Sequence, residues 1–141
     1  MTKPDGAFLA AFKERAGAQG IARMLGIELA EVKPGYARTV MTCRPEMANI
    51  LGMVHGTAVF ALMDEAFQAA CNAHGTIAVA LSMSLAFHNA PEMETTLTAE
   101  AQEIHAGRRT ATYQITVTDP SGLPIASCQA LAYRKQKPLE F

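Results

Sequence analysis

The sequence carries almost no excess of charge of either sign: 12 Lys and Arg stand against 13 Asp and Glu, for a formal net charge of −1. That balance excludes a broad electrostatic pull toward nucleic acid or a membrane surface, while leaving room for a local basic patch that holds a phosphorylated ligand. Cysteine is nearly as scarce. Cys43, Cys71 and Cys128 are odd in number, widely spread and never in a C-x-x-C pair, which argues against a disulfide framework and against a zinc site. His74, His88 and His105 show no His-Glu-x-x-His spacing, so no metal is expected. No stretch approaches about 18 uninterrupted apolar residues, and Met1 to Gly6 lacks the basic start and apolar run of a secretory leader. A soluble, cytoplasmic protein is expected. With no internal repeat, low-complexity tract or linker either, residues 1–141 read as a single domain long enough to bury a core.

What the sequence does have is apolar: 50% of residues are hydrophobic and 18% charged, a lean that suits an oligomer with buried subunit surfaces. Its organising stretch runs from Asn49 to Asn72, a loop feeding a helix. The segment after Gly56 is rich in Ala, Leu, Met and Phe, contains no Pro, and meets Gly75 where a helix stops. This helix is apolar nearly all round, the pattern of burial on most sides. Phe60, Asp64, Phe67 and Cys71 share one helical stripe, so Asp64 sits within an apolar row, whereas Glu65 shares its face with Ala61, Gln68 and Asn72. A carboxylate in such a row is costly unless it is paired or has a task, because desolvation disfavours its charged form. Asp64 lies too far inside the helix to cap it; a buried salt bridge is the competing explanation.

At the other end, Gly56 opens the first turn, where backbone N–H groups lack partners and the helix dipole is positive. A carbonyl can approach that N–H closely because glycine has no Cβ. Gly56 and Asp64 are eight residues apart, about 12 Å along a helix at 1.5 Å per residue. One carbonyl cannot touch both. If both act on the same atom, they come from two copies of the chain across a two-fold axis; otherwise only one end of the helix matters.

Ahead of this helix, residues from about Ala7 to Leu25 read as a helix interrupted near Gly20. Ile27–Val32 and Tyr36–Cys43 then form a hairpin around Lys33-Pro34-Gly35, edge-like on one side through its charges. Behind the helix the period changes to two. From Ala78 to His88 the odd positions Val79, Leu81, Met83, Leu85 and Phe87 are large and the even ones small, so either the helix or a ligand packs closely on the small face, the helix being the expected one. Three further strands, about Thr95–His105, Arg109–Thr118 and Pro124–Arg134, are separated by Ala106-Gly107 and Asp119-Pro120-Ser121-Gly122. The expected class is α+β, an antiparallel sheet with one helix across its face.

Asn49-x5-His55-Gly56-x7-Asp64, followed by Phe67, Asn72 and this strand order, resembles the hotdog-fold thioesterases, most closely the phenylacetyl-CoA thioesterase (PaaI-like) subgroup. The resemblance covers roughly residues 18 to 135. It implies a hotdog fold, a sheet wrapped around the long helix with an N-terminal helix in front, and two subunits joined edge to edge. The homodimer is then the minimum active unit, with a dimer of dimers as the fuller assembly. By position Asp64 becomes the catalytic carboxylate, as general base or nucleophile, and Gly56 of the opposite subunit polarises the thioester carbonyl through its N–H. Asn49 orients the water or the thioester, and His55 helps to position the carbonyl. Ser82, with Ser84 next, is the hydroxyl that some relatives supply from the strand facing the helix, or a small packing residue. Arg108 and Arg109 are candidates for the coenzyme A phosphates.

Three departures from the family pattern stand out: Thr57 where a second glycine is usual, His88-Asn89-Ala90-Pro91 in place of an Arg-Pro, and Glu94-Thr95 in place of a Gly-Asp. The first bears on how the acyl group fits, the others on the coenzyme A mouth. The activity implied is hydrolysis of an acyl-CoA to a carboxylic acid and free coenzyme A, with no cofactor beyond the coenzyme A of the substrate. The alternative is a hotdog protein that binds acyl-CoA without cleaving it.

Overall fold

In a computed structural model, which describes residues 3–141, two short helices precede six antiparallel strands and one long helix. Helix α1 spans Gly6–Gly17 and α2 spans Gly20–Leu25. Asp5 caps α1 by accepting the Phe8 N–H at 2.9 Å. The interruption expected near Gly20 falls just before it: the Ala18 N–H closes α1 onto the Glu14 and Arg15 carbonyls, and Gln19 is extended. Gly26, at φ +67°, then ends α2 in the left-handed conformation that glycine tolerates.

Strands β1 (Glu28–Lys33) and β2 (Tyr36–Thr42) form the first hairpin, α3 spans Gly56–Asn72, and β3 (Thr76–Phe87), β4 (Thr96–Ala106), β5 (Thr110–Thr118) and β6 (Pro124–Pro138) follow. Their order in the sheet is β1-β2-β4-β5-β6-β3, so β1 and β3 are its edges. The two differ in chemistry. β1 carries Glu28, Glu31 and Lys33 and a bulge between Leu29 and Glu31, both devices that blunt an edge. β3 has no charged residue along its 12 residues and exposes Val79, Leu81 and Phe87.

The concave face of the sheet holds α3. Ala37, Ala99, Ala101, Ala130 and Ala132 are buried on it, and their short side chains let the helix come close. Larger residues fill the gaps: Leu62, Met63 and Phe67 from α3 meet Met41, Leu97 and Ile115 from the strands, all at most 1% exposed. Each such side chain is worth about 1.5–3 kcal/mol on burial. Thr39, also buried, is satisfied by donating its hydroxyl to the Leu62 carbonyl at 2.9 Å. Phe67 meets the ring of Tyr113 edge-on at 5.3 Å. The Tyr113 hydroxyl donates to Glu103 at 2.7 Å, and the same carboxylate oxygen takes His74 Nε2 at 2.6 Å. These bonds tie the loop after α3 to β4 and β5. Asn72 does the same for β3: its Nδ2 donates to the Ala78 carbonyl at 3.0 Å and its Oδ1 accepts the Ala78 N–H at 2.9 Å.

One strand departs from the sequence pattern. β3 pairs Ala80 with Ala132 and then Ser82 with Leu131, leaving Leu81 as an extra residue in a β-bulge. Before the bulge Ala78 and Ala80 share the helix-facing side with Ala132. After it Met83, Leu85 and Phe87 do, opposite Ala130, Cys128 and Ala126. The small face expected to pack on α3 along the whole strand therefore does so only at its start. Ser82, Ser84 and Ala86 turn to the outer face. β6 also runs on to Pro138, beyond the expected end at Arg134, because Thr76 at the start of β3 pairs with Pro138.

Candidate active site

Asp64 projects from α3 into a hollow of about 230 Å³ walled by Phe67, Gln68, Cys71, Ala78 and Ala80. The two alanines of β3 leave the space that the carboxylate occupies. Asp64 is half-buried and has no hydrogen-bond or ion-pair partner among the described residues, and burial pushes its carboxyl above the ordinary value. Glu65 contrasts with it. Its Oε2 accepts from Gln19 Nε2 at 3.0 Å, which ties α3 to the segment between α1 and α2. Burial raises Glu65 as well; the bond from Gln19 works against that, and the charge of Asp64 adds to it. Beside Asp64, burial pushes the Cys71 thiol up to about 12, so it stays protonated and is no nucleophile.

Gly56 occupies a second hollow, of about 310 Å³, at the start of α3, together with Val54, Val59, Phe87, His88 and Ile125. His55 is the N-cap of α3: its Nδ1 accepts the Thr57 N–H at 3.0 Å, so the neutral ring carries its proton on Nε2. The Ala58 and Val59 amides bond the His55 carbonyl. The Gly56 N–H is left with no partner among the described residues, at the positive end of a 17-residue helix. Asn49 shapes the loop that delivers it. Its Oδ1 accepts the Leu51 N–H at 2.8 Å and the Met53 N–H at 3.1 Å, and its own N–H bonds the Met53 carbonyl at 2.7 Å. Asn49, His55 and Gly56 thus belong to one end of α3, and Asp64 to a separate hollow two turns along it.

The family model described as the Thioesterase superfamily matches residues 51–126, from the loop before α3 to the first residues of β6. The acyl-coenzyme A thioesterase PaaI of Escherichia coli (strain K12) is 34% identical over 113 residues, 80% of this chain and 81% of that protein. This chain belongs to the thioesterase superfamily. The solved structure of the E. coli PaaI protein from the phenylacetic acid degradation operon superposes on this thioesterase with a TM-score of 0.86 at 30% identity, covering 93% of this chain and 96% of that one. A Streptococcus mutans protein solved bound to acetyl CoA shares the fold, with a TM-score of 0.76 at 21% identity over 80% of this chain and 91% of that one. The fold is the hotdog fold, and the chain is a PaaI-like thioester hydrolase.

The remaining candidates are scattered over the thioesterase. Thr57 is exposed in the first turn of α3, with its N–H taken by His55. Ser82 and Ser84 lie on the outer face of β3, paired with Leu131 and Gln129, and wall neither hollow. Arg108 and Arg109 are exposed in the turn between β4 and β5 and likewise wall neither. Their carbonyls anchor the turn, that of Arg109 accepting the Arg134 N–H at 2.7 Å and that of Arg108 accepting from Gln136 Nε2.

Two features of the site escape the sequence pattern. The ring of Phe87 lies over Gly56, close enough that a Cβ added there would come 3.2 Å from its Cζ. His88 Nε2 pairs with the Ser127 hydroxyl at 2.8 Å and the His88 N–H bonds the Ile125 carbonyl, so the loop after β3 is fastened to β6. Phe87 carries a signal only as the last large residue of the alternating run, and His88 only as part of the His88-Asn89-Ala90-Pro91 departure; neither pattern gives the contact that the residue makes.

Proposed function

We propose that this thioesterase hydrolyses acyl-CoA to a carboxylic acid and free coenzyme A, with Asp64 of one protomer and the partner's Gly56 acting on one thioester carbonyl. The observation that carries this reading is a pair of groups on α3 left unsatisfied among the described residues: the half-buried Asp64 carboxylate and the Gly56 N–H at the helix start. They lie about 12 Å apart at 1.5 Å per residue, so each completes its site only with a second copy. The uncharged β3 edge, with Val79, Leu81 and Phe87 exposed, is the surface on which that copy pairs, and a dimer of dimers is the fuller assembly.

In this reading the Asp64 carboxylate takes a proton from water, and the water oxygen attacks the thioester carbon. The carbonyl electron pair moves onto oxygen, where the partner's Gly56 N–H and the positive helix end stabilise it. Collapse of the adduct breaks the C–S bond, and the thiolate of coenzyme A leaves with the proton that Asp64 returns. As a nucleophile Asp64 would instead form a mixed anhydride, which water then hydrolyses. A carboxyl raised above its ordinary value is a stronger base, which favours the first route. The Nε2–H of His55 and the free amide nitrogen of Asn49 are the donors left to orient the carbonyl and the water, Thr57 narrows the acyl side, and Arg108 and Arg109 pair the coenzyme A phosphates. The chemistry calls for no further cofactor. Three buried free cysteines suit the cytoplasm as its compartment.

Free-thiol release from a panel of acyl-CoAs tests the reading, comparing the native protein with Asp64→Asn and with Glu65→Gln as the neighbouring control. Hydrolysis that falls about 100-fold or more in Asp64→Asn alone is the expected result. Equal acyl-CoA binding by both chains with no thioester cleaved overturns it in favour of a binding protein.

A further inference from the structure

Two hollows meet on the flank of α3. The hollow over Asp64 and a larger cleft of about 420 Å³ both have Gln68 and Ala78 as walls, so these two residues form the partition between them. Gln68 lies one turn beyond Asp64 on the same side of the helix. It is held there: its Nε2 donates to Gln19 Oε1 at 3.1 Å, and Gln19 is itself tied to Glu65. On the far side the cleft is bounded by Phe12, Arg15 and Ala16 of α1 and by Leu139 and Phe141 after β6. The Phe141 ring forms its outer wall, stacked on Phe8 at 5.5 Å and edge-on to Phe12 at 6.0 Å, with the Arg15 guanidinium 5.3 Å from its centroid.

The volume falls within the roughly 300–1,000 Å³ of small-molecule pockets, and Phe12, Ala16, Ala78, Leu139 and Phe141 give the cleft apolar walls alongside the polar Arg15, Gln19, Gln68 and Asn72. We infer that the acyl group of the substrate runs from Asp64 past Gln68 into this cleft, which selects large apolar acyl groups, medium alkyl or aryl-ended, over short ones. The inference rests on the thioesterase reading above and adds where the acyl group goes. Helix geometry sets the lengths: Gln68 is about 6 Å and Asn72 about 12 Å along α3 from Asp64. A butyryl group ends before the partition. An octanoyl or phenylbutyryl group passes it and takes apolar surface out of water between Ala16 and Phe141.

The test measures kcat/KM for butyryl-, octanoyl- and phenylbutyryl-CoA with the native protein, with Ala16→Phe, which fills the cleft, and with Phe141→Ala, which removes its outer wall at the chain end. The native protein is expected to prefer the two larger substrates. Ala16→Phe lowers their kcat/KM by about 10-fold or more, the scale on which apolar pocket contacts discriminate, and leaves butyryl-CoA unchanged. Phe141→Ala lowers the same ratio and leaves the helices intact, so the result does not depend on how well Ala16→Phe folds. An unchanged ratio in both variants overturns the cleft assignment while the thioesterase reading stands. No hydrolysis of any of the three by the native protein overturns both.

Discussion

Gly56→Ala adds one methyl group and separates the two reasons for a glycine at the start of α3. The backbone is not one of them, since Gly56 is not among the glycines with positive φ. The space around it is. An added Cβ would meet the Phe87 ring at 3.2, 3.5 and 3.6 Å, so the ring edge must yield by a few tenths of an ångström. That strain is worth about 1 kcal/mol, the low end of an overpacked site, and it is offset by up to about 1 kcal/mol of helix preference for alanine over glycine. The Tm is therefore expected to move by only a few degrees. Activity behaves differently, because the methyl group stands where a carbonyl must come up to the amide. Loss of one oxyanion donor costs about 100-fold or more in kcat. Thiol release from an acyl-CoA, measured beside thermal unfolding, gives both numbers. Adding Phe87→Leu to the variant should restore the Tm and leave activity low. A Gly56→Ala protein with native kcat/KM would refute the role of this N–H, and an equal fall in activity and stability would show that the glycine serves packing alone.

Three other outcomes follow from the same structure. Co-expressed in equal amounts, Asp64→Asn and Gly56→Ala chains pair at random, half the dimers are mixed and each mixed dimer regains one intact site, so about a quarter of native activity returns; no recovery on mixing excludes sites shared between protomers. Asp64 is raised by burial, so its ionisation opposes folding: the opposition is absent below the unfolded value of about 3.9, grows as pH rises through the folded value and is complete above it. Asp64→Asn should accordingly raise the Tm at pH 8 and lose that advantage below about pH 4. Glu103 runs the other way. Burial alone would raise its carboxyl, but the bonds from Tyr113 and His74 outweigh that and hold it below the ordinary value. Its contribution is present above the unfolded value and is lost as pH falls through the folded one. Glu103→Gln should destabilise by about 1–3 kcal/mol at pH 7 in urea unfolding, with the gap to the native protein narrowing in acid.

What could be read from the sequence was whatever is local. Helix α3 was legible from Gly56 to Asn72 because an unbroken run of good helix formers is fenced by Gly56 and Gly75, and the contrast between Asp64 and Glu65 follows from helical period alone. The resemblance carried by Asn49, His55, Gly56 and Asp64 supplied the family. The bulge at Leu81 was not legible: large and small residues alternate through it without a break, and the slip exists only in the pairing of β3 with β6. For the same reason Ser82 was expected to face the helix and lies on the outer face. Phe87 over Gly56, and Gln19 on Glu65, join residues 31 and 46 positions apart in the chain, and no short-range pattern registers such contacts. The tail of β6 past Arg134 is too polar to read as strand and is recruited by the start of β3.

The unequal edges of the sheet carry one further consequence. A sheet adhesive on both sides grows without limit, whereas this one has a charged and bulged margin at β1 and a bare, apolar one at β3. In the dimer proposed above, two copies meeting through β3 would present only their β1 margins outward, and growth would stop at twelve strands, twice the six of one protomer. Such a sheet would count to two, and the asymmetry that lets the proposed pair form would also keep it from becoming a fibre.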